Sequence, residues 1–368
     1  MYRVLFMPFL QIPSGHHHVA DTIRYQLQEI SPDFHCEKVD ILSHCFGKVE
    51  SFISSFYLQW IRMLPGVYSK IYKASVNGNA WDKRYYIYEM LFLKKVFDLV
   101  QRTDPDVIIC THALPSYLLD LLKRKKKWSK PVINVYTDYF INDLWGMKHI
   151  DYHFAPSAHS KQLLMERGIE EEKIFVTGIP VHPVFKQEKK KRKNAGDWCV
   201  LISGGNMGAG SVERLVRTLN PTGSVQYYVL CGKNKALYQS MKQLNHPSIY
   251  ALPYIDSKEK MNQLYDEADA IITKPGGVTV TECLWKQLPI FVYEALPGQE
   301  EFNLNYLSKQ GLIYHPADWD AKKPTGERII EVLTNDFSVT RLQSFSKSIK
   351  DPNPAKIVEG ICRRKDIS

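Results

Sequence analysis

Two glycine-rich turns and one cluster of hydrogen-bonding side chains give this chain its chemical character. The first turn lies in "IITKPGGVTVTECLWKQLP", residues 271–289, where an apolar run ends in Lys274-Pro275-Gly276-Gly277 and a helical pattern follows. Glycines at such a junction leave backbone N–H groups uncovered at a helix start, an arrangement that holds a phosphate without a metal. Thr279 and Glu282 fit a capping box, Thr-x-x-Glu. A carboxylate one turn into a helix beside a phosphate loop can equally accept hydrogen bonds from a ribose. The second turn is Gly204-Gly205-Asn206-Met207-Gly208-Ala209-Gly210, between the run "WCVLIS" and the helical pattern "SVERLVRTL". Strand, glycine turn and helix are the parts of a diphosphate site, although glycine turns end many strands. The cluster is "LPGQEEFN", residues 296–303, where Gln299, Glu300 and Asn303 follow a Pro-Gly turn. Three such side chains at one strand end suit a polyhydroxylated ligand such as a sugar.

Other candidates for chemistry weigh less. His16, His17 and His18 follow the first apolar run at the turn into a helix. They serve there as solvated or turn-forming residues. Adjacent positions point in different directions, and with no Cys or carboxylate partner in view a metal site is not expected. Asp-x-Asp occurs at 104–106 and 318–320. The first match precedes an apolar run, where Asp and Pro end a helix or shape a turn; the second lies in a late loop.

The elements that must position these residues alternate. One series of short apolar runs comprises "YRVLFMPFL", "CEKVDIL", "DVIICTH", "VINVYTD", "YHFAPS" and "KIFVTG"; another comprises "WCVLISGG", "VQYYVLCG", "SIYALPYI", "DAIITKPG", "PIFVYEA" and "GLIYH". Buried strands separated by helical lengths indicate parallel sheets built from βαβ units. Between the series lies "FKQEKKKRKNAGD", residues 185–197, with the composition of a solvated basic linker. The expectation is an α/β protein of two doubly wound, Rossmann-like domains facing a cleft. The first spans 1–184 and the second 198–345 after the linker, with 346–368 packing back on the first. The 368 residues suffice for two cores.

Lys and Arg number 48 against 39 Asp and Glu, a net charge of +9 that suits a nucleotide, an anionic membrane surface or nucleic acid as partner. The Lys/Arg clusters at 123–127 and 189–193 lack interleaved aromatics and a binding fold, so they read as solvated faces, and nucleic acid is not expected. Seven scattered cysteines, none spaced Cys-x-x-Cys, read as reduced core residues of a cytoplasmic protein. No stretch approaches the ~18 apolar residues of a spanning helix, and the start lacks a secretory pattern. One segment, residues 46–75, combines Phe52, Phe56, Tyr57, Trp60 and Met63-Leu64 with Arg62, Lys70 and Lys73. It is either a packed helix or a surface that dips into a membrane and pairs its cations with anionic headgroups.

"ITKPGGVTVTECLWKQLP" followed by "PGQEEFN" resembles the donor-binding region of the monogalactosyldiacylglycerol synthase and diacylglycerol β-glucosyltransferase family, GT-B glycosyltransferases related to MurG. "PSAHSKQLLMERGIEEEKIFVTGIPVHPVF" is similar to the end of that family's first domain, "LISGGNMGAG" to its glycine loop and "VYTDYFINDLW" to its Thr-Asp stretch. The matches keep the family's order from residue 13 to about residue 315.

The resemblance implies roles. Gly276, Gly277, Val278 and Thr279 would hold the UDP phosphates, with Gly205 and Asn206 against the diphosphate from the other side. Glu282 would take the ribose hydroxyls, Tyr254 and Ile255 would border the uracil, and Gln299 and Glu300 would meet the hexose, supported by Asn303. On the acceptor side it picks out His16 as the base, in "PSGHHHVADTI", where Pro13-Ser14 replaces two of the family's glycines. Asp138 would be an acceptor-side residue or a strand-end cap, and Asn142 stands where many members carry histidine. Trp60, Arg62, Tyr68, Lys70 and Lys73 would face acceptor and membrane. The implied enzyme is an inverting hexosyltransferase from UDP-glucose or UDP-galactose to a membrane lipid, diacylglycerol above all. It would need no metal or cofactor and would be cytoplasmic and peripheral to the membrane. A MurG-like transferase to a polyprenyl-linked sugar, a soluble sugar-nucleotide epimerase and a non-catalytic UDP-sugar sensor remain as alternatives.

Overall fold

The computed structural model describes residues 1–9, 15–46, 84–188, 197–205, 212–219, 224–296, 298–315, 325–334 and 337–364. It divides into two compact units, one of residues 1–180 with 349–368 and one of residues 181–348.

The first unit holds a six-stranded parallel sheet in the order β2-β1-β3-β4-β5-β6. Its strands are β1 (Tyr2–Met7), β2 (Phe34–Lys38), β3 (Val107–Cys110), β4 (Val132–Val135), β5 (Tyr152–Ala155) and β6 (Ile174–Val176). β3 and β4 are buried along their whole length, hence their unbroken apolar sequences. The run "CEKVDIL" divides: β2 stops at Lys38, and Ile41 opens a short helix, Ile41–Phe46. Asp104, within the first Asp-x-Asp match, is the left-handed C-cap of helix Tyr86–Thr103, with φ +40°. The C-terminal helix Pro354–Arg364 packs against helix Gly15–Ile30, and the Asp351 N–H reaches the Val176 carbonyl at 3.0 Å.

The second unit holds a five-stranded parallel sheet in the order β11-β10-β7-β8-β9. Its strands are β7 (Trp198–Ser203), β8 (Val225–Leu230), β9 (Ile249–Leu252), β10 (Ala270–Thr273) and β11 (Ile290–Val292). The expected last strand, "GLIYH", supplies only an isolated bridge between Tyr314 and Phe291. The unit begins at Val181 because buried Phe185 packs against Tyr265, ring centroids 5.6 Å apart. Fully buried Lys286 reinforces this by pairing with Asp266 at 2.5 Å and donating to the Gln187 carbonyl at 3.2 Å.

Both sheets reverse direction once. In the first the chain runs outward from β1 to β2, then returns to β3 on the other side of β1. In the second it runs from β7 through β9, then returns to β10 on the other side of β7. Each reversal separates the helices leaving two neighbouring strands, opening a crevice at the strands' carboxyl ends.

Candidate functional site

His16 sits at the first of these crevices. It lies in the opening turn of helix Gly15–Ile30, after β1, and its Nδ1 is 2.8 Å from the carbonyl of Thr111, just past β3. Thr137 Oγ1, two residues past β4, lies 2.9 Å from the same nitrogen. β1, β3 and β4 are neighbours, so residues far apart in sequence meet at one sheet edge. A carbonyl only accepts, so Nδ1 carries the proton and donates it to Thr111, leaving the Nε2 lone pair as a base. Burial pulls the His16 pKa down to about 4; the Thr111 hydrogen bond opposes this and neighbouring His17 adds to it. The imidazole is therefore neutral at pH 7.

His112 stands edge-on to His16, ring centroids 4.8 Å apart, and stacks on Phe9 at 4.8 Å. Its Nδ1 accepts the Leu114 N–H at 3.1 Å and so caps helix Ala113–Arg124. Burial, with His16 and His17 nearby, takes its pKa well below the ordinary value. His17 turns elsewhere, its Nε2 3.5 Å from Asp40 Oδ2, so His16 and His17 diverge. Among the described residues no group of three His, Cys, Asp or Glu is placed to hold a metal ion.

In the Thr-Asp stretch it is Thr137 whose side chain meets His16, while Asp138 occupies the next position, half-buried in a bend. Asn142 is buried and accepts the Leu144 N–H at 3.1 Å, the work of a turn former. Beneath this loop Asn134 Nδ2 and Ser116 Oγ donate to the Gly146 carbonyl at 2.7 and 3.2 Å. Thr111, His112 and Thr137 escaped the sequence reading as partners of His16. Only the Thr-Asp dipeptide hinted at one of them.

At the second crevice residues 274–277 and the start of the other glycine turn, Gly204-Gly205, leave the sheet. Thr273 of β10 is paired in register with Ser203 of β7, and its Oγ1 donates to the Ser203 carbonyl at 3.1 Å. Both turns therefore leave the sheet side by side. Gly205 adopts φ +75°, a conformation that favours glycine. Asn206 lies outside the described residues, as do Pro13, Ser14, Trp60, Arg62, Tyr68, Lys70 and Lys73.

Helix Gly277–Trp285 has Gly276 as its N-cap, with no side-chain capping bond. The capping-box reading is thus corrected: Thr279 is the third helical residue, and Glu282 lies a turn further in. Glycine at the cap carries no side-chain signature, so the first capping-type residue drew the boundary too late. The N–H groups of Gly277, Val278 and Thr279 make up the first turn. A Cβ built on Gly276 meets no protein atom within 4 Å, so packing alone does not require glycine there.

Glu282 is buried and accepts a 3.0 Å hydrogen bond from Tyr265 Oη. Burial pushes its pKa up to about 6, against the pull of Lys258 and of the Tyr265 hydrogen bond. Tyr254, 38% exposed, and Ile255, half-buried, follow the edge strand β9, with Lys233 Nζ 5.2 Å from the Tyr254 ring centroid. Gln299, Glu300 and Asn303 open helix Gln299–Lys309, which is capped by Glu301 reaching back to the Gly298 N–H at 3.3 Å. Asn303 is wholly buried and Gln299 half-buried. Glu300 pairs with Lys274 at 3.1 Å, a partner the sequence reading did not anticipate.

Residues 16–181 match the family model for monogalactosyldiacylglycerol (MGDG) synthase, and residues 199–348 the glycosyltransferase family 28 C-terminal domain. The chain is 46% identical over 325 residues to an uncharacterized glycosyltransferase, YkoN, of Bacillus subtilis (strain 168), an alignment covering 88% of this chain and 86% of that one. This chain belongs to the same glycosyltransferase family. The glycosyltransferase is also 28% identical over 366 residues to a processive diacylglycerol beta-glucosyltransferase of Bacillus cereus (strain G9842), covering 95% of this chain and 90% of the relative. Among solved structures it is similar to Acinetobacter baumannii MurG, with a TM-score of 0.64, 16% identity and coverage of 99% and 100% of the two chains. The GT-B fold and the hexosyltransferase class expected from the sequence are thereby met.

Proposed function

We propose that this glycosyltransferase moves a hexose from UDP-glucose or UDP-galactose to the hydroxyl of a membrane lipid, diacylglycerol being the foremost candidate, with inversion at the anomeric carbon. The observation that carries the donor side is that both glycine turns start at the reversal point of the second sheet, with a helix N-terminus lacking a side-chain cap and buried Glu282 on the helix that follows one of them. The N–H groups of Gly277 to Thr279 take the diphosphate, and Gly205, with Asn206 beyond it, approaches from β7. Glu282 accepts the ribose hydroxyls, Tyr254 and Ile255 border the uracil, and Gln299, Glu300 and Asn303 serve the hexose.

His16 supplies the base. Its Nε2 removes the acceptor proton while the acceptor oxygen bonds to the anomeric carbon and the bond from that carbon to the UDP oxygen breaks. With its pKa held at about 4 by burial, His16 is a weak base toward an ordinary alcohol. The negative charge growing on UDP favours the imidazolium as the alcohol becomes acidic, so proton transfer accompanies bond formation. The helix N-terminus neutralises the departing UDP, and no metal or cofactor is needed.

A lipid acceptor and a peripheral membrane position draw support from the relative named a processive diacylglycerol beta-glucosyltransferase. They also draw support from the start of helix Tyr86–Thr103, where Tyr86, Ile87 and Met90 are 66%, 68% and 77% exposed, with Lys94 exposed one turn on from Met90. Exposed apolar side chains beside lysines suit an anionic bilayer. Release of UDP from UDP-glucose and UDP-galactose, each with and without diacylglycerol liposomes, tests the proposal. Release that requires one sugar nucleotide and the lipid is expected; UDP binding with no release under any condition would refute it.

A further inference from the structure

We infer that Lys274 is a positioning residue for sugar recognition: it holds the Glu300 carboxylate, as a charge-neutral pair, in the one orientation from which it reads the hexose hydroxyls. This rests on the donor-site reading above. Lys274 is the residue immediately after β10 and Glu300 is in the first turn of the helix that follows β11. Nζ lies 3.1 Å from Glu300 Oε1, and the Leu296 N–H donates to Oε2 at 2.7 Å. Their side chains are only 10% and 18% accessible, so the pair is largely withdrawn from water. Glu300 is thus gripped at both oxygens by groups on different elements.

Two consequences follow from the chemistry. A lone carboxylate near a diphosphate is repelled by it, and the repulsion grows where water is excluded. The Lys274 ammonium cancels that charge, which lets a carboxylate work beside a UDP-sugar at all. Each carboxylate oxygen also has two acceptor directions, and one on each is already used. The remaining directions are fixed in space. A carboxylate only accepts, so it discriminates by whether a sugar hydroxyl points its proton along them. Glucose and galactose differ in the direction of the C4 hydroxyl, and a rigid acceptor separates such isomers far better than a mobile one.

Lys274 is also close in sequence to Gly276 and Gly277, so the alternative is that it contacts the phosphates itself. The two roles differ in a measurable way. Kd for UDP, UDP-glucose and UDP-galactose, and kcat/KM for the two sugar nucleotides, are measured for the wild type, Lys274→Met, Lys274→Arg, Glu300→Gln and the Lys274→Met/Glu300→Gln pair, with melting curves for each. Expected for Lys274→Met is a UDP Kd within about threefold of wild type and a loss of at least about tenfold in the kcat/KM ratio between the two sugars. Lys274→Arg should restore part of that ratio. The double variant should be no worse than Lys274→Met alone, since two members of one unit are not additive. If Lys274→Met weakens UDP as much as UDP-sugar, Lys274 is a phosphate ligand and the inference falls. A sugar ratio unchanged in Lys274→Met, or a wild-type ratio of one, also overturns it. If Lys274→Met does not fold, Glu300→Gln decides, and an unchanged sugar ratio in it is equally fatal. A wild type that binds no UDP would bring down the donor reading itself, which distinguishes that failure from the inference failing alone.

Discussion

His16 Nδ1 lies 2.8 Å from the Thr111 carbonyl, so the imidazole donates its proton to the backbone and presents Nε2 as a lone pair. A histidine oriented by a carbonyl, unlike one paired with a carboxylate, gains little stabilisation of its charged form. His16→Ala should lower kcat by about 10²- to 10⁴-fold, the range of a lost general base, with UDP affinity unchanged. Nitrogen NMR of the wild type should show Nε2 unprotonated at pH 7 and a titration midpoint of about 4. Near-normal turnover in the variant would remove His16 as the base.

Glu282 gives the donor site a pH dependence. Its folded pKa, about 6, is above the ordinary 4.5. The folded state therefore holds a proton that the unfolded state releases, and stability declines as pH rises from about 4.5 through about 6. The loss is roughly 2 kcal/mol. Glu282→Gln removes this decline, so at pH 7.5 the variant should melt no lower than wild type. Its affinity for UDP-glucose should nevertheless drop. Wild-type affinity for UDP-glucose should fall as pH drops through about 6, because a protonated carboxyl is a poorer acceptor; calorimetry at pH 5 and 7.5 checks both.

Gly276 separates folding from binding. Its φ of −74° suits any residue, and a Cβ there meets no protein atom within 4 Å. Gly276→Ala should change stability by less than about 1 kcal/mol, because a stiffer unfolded chain partly offsets alanine's poorer fit at an N-cap. The added methyl would stand where the diphosphate approaches the helix start. UDP affinity should therefore fall at least about tenfold while the melting curve stays in place, as titration calorimetry and thermal denaturation would show.

Ile87 and Met90 should matter only at a surface. Both are strongly exposed, so Ile87→Ser with Met90→Ser should change stability by less than about 0.5 kcal/mol. Sedimentation with anionic, diacylglycerol-containing vesicles should recover less of the double variant than of wild type. Equal recovery would dissociate this helix from the membrane.

By itself the sequence determined the alternation of buried strands and helices, the two sheets and the glycine turns of the second. Each of these follows from local pattern: continuous apolar runs demand burial on both faces, and glycine permits backbone that other residues resist. Local pattern also misled where it was silent or excessive. Gly276 caps a helix without a side chain, so the Thr279–Glu282 capping-box pattern points to a start three residues too late; Ile41-Leu42 prolong an apolar run that the chain uses to open a helix; and Tyr314, in a strand-like run, contributes only a bridge. What only the tertiary structure decided is who meets whom. Thr111 and Thr137 reach His16 from 95 and 121 residues away, and Glu300 reaches Lys274 from 26. Those meetings depend on strand order. The chain reverses between β1 and β3 and again between β7 and β10, bringing distant strand ends side by side, and no spacing within a single element encodes that reversal.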